Sequence, residues 1–111
     1  MSDTGHIFAD ISQALPQEIF EELAGNASCR IERIISKGHA SPPDFWYDQQ
    51  THEWVIVLKG RARLRLAADD RVVELGMGDY LLLPAGCRHR VDWTDPDQET
   101  VWLAVHFDAS G

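Results

Sequence analysis

The stretch "GDYLLLPAGCRHRVDW", Gly78–Trp93, decides how this chain is read. Gly78 and Asp79 make a turn, Tyr80 to Leu83 is an apolar run of strand length, and Pro84-Ala85-Gly86 makes a second turn. Glycine supplies positive φ at such turns, and proline ends a strand where no ladder donor is needed. "RHRVDW" then resumes as a strand. Gly76 and Gly78 stand two apart, but no helical pattern follows them, so the pair marks a turn and not a phosphate-binding loop.

Working outward, the same grammar repeats. "CRIERIIS" (29–36), "EWVIVLKG" (53–60), "RARLRLA" (61–67), "RVVELG" (71–76) and "TVWLAVHF" (100–107) read as strands, with Gly, Pro or Asp between them. Short strands at roughly 8–12-residue spacing predict an antiparallel sandwich or barrel. "HASPPDF" carries two prolines and is no central strand. The N-terminal "LPQEIFEELAG" reads instead as a short helix. Pro16 suits its first position, and Glu18, Glu21 and Glu22 suit the positive end of its dipole. Ile19, Phe20 and Leu23 form its apolar face, and Gly25 stops it. The expected plan is all-β with that one helix: an N-terminal segment over 1–28, then a barrel over 29–111, in a single domain.

Bulk properties narrow the function. A formal net charge of −8 argues against nucleic acid or an anionic membrane as partner. The arginines of "RARLR" alternate with Ala62 and Leu64, as on the wet face of a strand. No apolar run reaches the roughly 18 residues of a membrane span, and the acidic N-terminus lacks the pattern of a secretion signal. Cys29 and Cys87 make no disulfide framework and no zinc-finger spacing, so a reducing cytoplasm is the expected location. Neither a Gly-x-Ser-x-Gly elbow nor a serine in a triad context is present.

The opening stretch resembles the second motif of the cupin superfamily: Gly78, Pro84, Gly86 and His89 stand at its fixed spacings. The resemblance extends over about Ile31 to Phe107 and implies a jelly-roll β-barrel. The family's first motif is partly replaced. Glu53 and Gly60 fit its last two places, but its two histidines are Trp46 and Asp48 here, or Tyr47 and Gln49 in the shorter alignment. Where many members carry an inward asparagine, this chain has Trp93. On the resemblance, Asp48, Glu53 and His89 remain as donors for a divalent metal (zinc, manganese or iron) with places left for water. Cys87 reads either as a soft fourth ligand or as a small buried apolar residue.

The other pocket candidates are Tyr47, Gln49, His52, Trp93 and His106. His52 adjoins Glu53, so in a regular strand it points the other way, and only a bulge turns both inward. His39 stands near the barrel mouth, and the face of His106 is open. A buried Glu53 is also explained without metal, by an arginine or by Tyr47. Two function classes follow: a small-molecule-binding cupin with a divalent metal, of oxygenase or isomerase type if an enzyme, or a metal-free binding or sensing module. The catalytic residues are unassigned. Trp54, Ile56 and Leu58 face away from Glu53, and one short helix cannot cover them, so a homodimer is expected, with "CRIERIIS" as a pairing edge.

Overall fold

The computed structural model describes residues 3–12 and 14–109. Its strands are β1 (Ile19–Gly25), β2 (Cys29–Ser36), β3 (His52–Lys59), β4 (Ala62–Leu66), β5 (Arg71–Leu75), β6 (Tyr80–Leu83), β7 (His89–Thr94) and β8 (Thr100–Phe107). They form two antiparallel sheets, one ordered β1-β2-β8-β3-β6 and the other β5-β4-β7. The all-β jelly roll is as expected.

The expected N-terminal helix is not there. Its residues form β1, which pairs with β2 from Ile19 opposite Ile35 to Gly25 opposite Arg30, with a bulge between Glu22 and Ala24. Helix propensity is a weak prior, and here a full backbone ladder on the edge of β2 overrides it. The glutamates read as dipole partners act across strands instead: both oxygens of Glu21 accept from Arg33 Nη2 at 2.9 Å. "CRIERIIS" is accordingly no edge, since β2 lies between β1 and β8. The same Arg33, 5% exposed, donates to the carbonyls of Ile7 and Ala9, which fastens the N-terminal segment to the outer face of β2.

The core follows strand alternation. Val55 and Val57 of β3, Ala62 and Leu64 of β4, and Trp102 and Ala104 of β8 are buried between the sheets. The arginines between Ala62 and Leu64 do take the wet side, where Arg61 meets Glu74 and Arg65 meets Asp70 and Asp92, at 2.7 Å each. At the β3–β4 turn Gly60 holds φ +93°, and a Cβ there would stand 2.6 Å from Thr100 Cα and 2.8 Å from the Glu99 carbonyl oxygen. Only glycine fits that corner.

Candidate ligand cavity

The turns of the opening stretch assemble one wall of a cavity. The Gly78 N–H donates to the Val57 carbonyl at 2.7 Å, and the Gly86 N–H donates to the Gln49 carbonyl at 2.8 Å. Tyr47 and His89 exchange backbone hydrogen bonds at 2.7 and 3.1 Å. These bonds draw the non-strand segment around Tyr47 and Gln49 against β7, and the Tyr47 and His89 rings stack with centroids 5.3 Å apart.

Between the sheets lies a cavity of about 60 Å³. Its polar lining is Glu18, Glu32, Gln49, Glu53, His89 and His106, with Tyr47 among them. Apolar walls come from Val55, Leu64, Leu83 and Trp102, and Phe20 contributes as well. Two imidazole–carboxylate pairs stand in it. His89 Nε2 is 3.6 Å from Glu53 Oε1, and His106 Nε2 is 3.0 Å from Glu32 Oε1. Glu53 and His106 are directly opposite one another across β3 and β8, so the two pairs share one concave face.

The electrostatics are those of buried carboxylates. Burial pushes the His89 pKa down, but the Glu53 carboxylate and the Cys87 carbonyl, 2.9 Å from Nδ1, outweigh it and leave the imidazole above its ordinary value. Tyr47 is raised by burial first, and then by the charges of Glu18, Glu53 and Glu32. Glu18 accepts from the Ser36 hydroxyl, which itself accepts from the Trp102 indole N–H at 3.2 Å. Among the described residues no lysine or arginine lines the cavity; Arg30, outside the lining, stands 3.5 Å from Glu32.

Of the residues named from sequence, Tyr47, Gln49, Glu53, His89 and His106 meet in the cavity. Asp48 is exposed and stands outside it. His52 points away from Glu53, as strand alternation requires, and its Nδ1 accepts from the Ala85 N–H at 3.0 Å. Trp93 also lies outside, under the Arg63 guanidinium at 4.6 Å. The cause is a bulge: Arg63 pairs with Trp93 and Leu64 with Val91, so Asp92 is an extra residue and the inward face passes to Thr94. His39 is tied into its own loop by a 2.8 Å bond from the Lys37 N–H. Cys87 packs against the core. Glu18, Glu32 and Trp102 line the cavity as well, and none of them stands in a motif. Glu32 carried a signal, a carboxylate alternating with the buried Ile34.

These residues do not fit a metal centre. Glu53 and His89 are two donors, the expected third donor Asp48 is outside the cavity, and among the described residues no three His, Cys, Asp or Glu side chains are grouped to hold an ion. A useful site takes at least three.

The class this architecture defines is the jelly-roll barrel with a cavity between its sheets. The chain belongs to the cupin family: the family model described as "Cupin domain" matches residues 32–106. No functionally curated protein matches the chain. Among solved structures, it resembles a "putative mannose-6-phosphate isomerase" from Ralstonia eutropha JMP134, at 49% identity and a TM-score of 0.94, over 97% of this chain and 100% of that one. It is also similar to a cupin superfamily protein from Desulfitobacterium hafniense DCB-2, at 17% identity and a TM-score of 0.72, over 88% of this chain and 84% of that one. A cupin protein from Bacteroides fragilis matches at 18% identity and a TM-score of 0.68, over 91% and 86% of the two chains. The last two speak to fold alone. Metal-bound barrels are common among cupins, and no helix among the described residues is long and apolar enough to cross a membrane.

Proposed function

We propose that this cupin binds a small molecule between its sheets and handles it through the Glu53–His89 and Glu32–His106 pairs, without a resident metal. The observation that carries this is the convergence of both pairs on one apolar-walled cavity. A carboxylate beside an imidazole can accept and return a proton, so the same groups would serve binding or acid–base turnover. The reading that a zinc, manganese or iron ion sits on Asp48, Glu53 and His89 is supported by the family and opposed by the donor arrangement. Metal analysis of protein purified without chelator tests it. Stoichiometric metal, lost in both Glu53→Ala and His89→Ala, would replace our reading with a metal-dependent one.

A second reading has a specific observation behind it, the 49% identity with the Ralstonia protein. Interconversion of an aldose phosphate and its ketose moves a proton between adjacent carbons, which a carboxylate–imidazole pair can do. A phosphate, however, is ordinarily held by Arg, Lys or backbone N–H groups, and among the described residues no Arg or Lys lines this cavity. Conversion of mannose 6-phosphate to its ketose isomer, followed by NMR and abolished by Glu53→Gln, would establish that reading over ours.

We infer too that the outer face of the five-stranded sheet is covered by a second copy of the chain. Tyr80 is 66% and Leu82 51% exposed there, beside the half-buried Trp54 and Ile56. A two-fold pair buries one such patch against itself. The thiols of Cys29 and Cys87 are free, in keeping with a cytoplasmic location.

A further inference from the structure

We propose that the ligand is a small organic cation, an ammonium carried on a short aliphatic chain. The proposal rests on the reading of the cavity as the ligand site and adds the sign and size of what enters it. Glu18, Glu32 and Glu53 bring carboxylates to the lining, and no lysine or arginine faces them there. Glu53 is only 8% exposed, yet its contact with His89 Nε2, at 3.6 Å, is longer than a hydrogen bond. A carboxylate so placed gains from a donor that brings positive charge with it.

A second observation points the same way. His106 is 5% exposed, lines the cavity, and its Nδ1 is buried without a partner. Its Nε2 stands 3.0 Å from Glu32 Oε1, and in the tautomer that donates Nε2–H to that carboxylate Nδ1 is an acceptor. An ammonium has three donors and no acceptor, which matches a lining that presents carboxylates and, in Glu53, one with no hydrogen-bond donor on it. Val55, Leu64 and Leu83 supply apolar wall for an alkyl chain. At about 60 Å³ there is room for roughly four to six water-sized groups, so the chain is short. An anion would meet three carboxylates, and the one guanidinium near them, that of Arg30, stands outside the lining and is already paired with Glu32.

The test is an NMR titration of chelator-treated protein at pH 7.5 and constant ionic strength. The probes are propylammonium, its neutral isostere 1-propanol, propionate, a hexose phosphate and Zn²⁺. The expected result is saturable movement of the Trp102 indole and His106 ring signals with propylammonium, at least tenfold tighter than with 1-propanol. Propionate and the hexose phosphate should leave those signals in place. Glu53→Gln should weaken propylammonium at least fivefold and leave 1-propanol unchanged, with Glu18→Gln as the second variant should the first not fold. Tighter binding of propionate, the hexose phosphate or 1-propanol would overturn the cationic assignment while keeping the cavity as the ligand site. Saturation by Zn²⁺ with propylammonium silent would overturn it in favour of a metal. Silence towards every probe would overturn both the assignment and the function it rests on.

Discussion

Replacing Glu53 by Gln keeps the shape of the cavity wall and removes one charge, so the response of stability to pH isolates the Glu53–His89 contact. His89 is held above its ordinary pKa of 6.5: burial opposes this, and the Glu53 carboxylate and Cys87 carbonyl prevail. A group whose folded pKa exceeds its unfolded one stabilises fully below the unfolded value and ceases to as pH rises through the folded value. The wild-type advantage over Glu53→Gln is therefore expected to be largest near pH 5.5 and to fade by pH 9. At 3.6 Å the bare attraction is about 1 kcal/mol with the screening of water and about 5 kcal/mol with that of a protein interior. Burial of the imidazole offsets part of this, which leaves about 1–2 kcal/mol at the acidic end.

That is a readable fraction of the roughly 5–15 kcal/mol that holds a domain folded. With a urea dependence of about 1–3 kcal/mol per molar, it moves the unfolding midpoint by about 0.3–2 M. Urea unfolding followed by tryptophan fluorescence, on chelator-treated protein at pH 5.5 and pH 9, measures it. A His89→Gln background should remove the pH-dependent part. An equal loss at both pH values, or a larger one at pH 9, would show that Glu53 acts on His89 by packing and not by charge.

Gly60→Ala should cost about 2–5 kcal/mol, combining a left-handed backbone with overlap against Thr100 and Glu99; thermal unfolding reads it, and a change under 1 kcal/mol would contradict the tight corner. Light scattering at micromolar concentration should give about twice the 12.5 kDa chain mass, and Ile56→Asp should shift it towards monomer; a monomeric wild type would remove the second copy. Purified without chelator, the protein should carry far less than one equivalent of zinc, manganese or iron, and Asp48→Ala should leave that content unchanged. Trp93→Phe should retain the fluorescence change on propylammonium addition and Trp102→Phe should lose it, because only Trp102 lines the cavity; the reverse pattern would relocate the site.

How far the sequence could be read depended on where alternation held. In β3 it held, and Glu53 faces inward with Val55 and Val57 while His52 does not. In β7 one inserted residue, Asp92, broke it, and Trp93, expected inward at the place of the family's asparagine, falls outside the cavity. A bulge leaves no mark in residue type that the count could have used. The N-terminal error was of another kind. Ile19, Phe20 and Leu23 fit a helical stripe, but the segment's partners lie far along the chain, in β2, where Arg33 meets Glu21 and Ser36 meets Glu18. Local propensity carries no information about such a ladder. With the helix went Glu18 and Phe20, which reach the cavity only because β1 is a strand.

The motif that identified the fold holds for reasons of backbone, so by itself it supplies the fold and not a set of metal ligands. Gly78 and Gly86 take φ of +90° and +79°, and their N–H groups tie β6 to β3 and the Gln49 segment to β7. The Pro84 carbonyl accepts the Cys87 N–H at 3.0 Å and closes the same turn. Each of these positions would be needed whatever the barrel contained. His89 is the one member that projects chemistry inward, and a single imidazole is a weak ligand without companions. The first motif, which would supply them, here gives the exposed Asp48 and the cavity-lining Tyr47 and Gln49. In their place Glu18 enters from just ahead of β1, and Glu32 and His106 from β2 and β8, all outside both motifs. A scaffold kept by its turns and a cavity refurnished from its flanking strands is a barrel whose ligand must be argued from Glu18, Glu32 and His106 rather than from the motif.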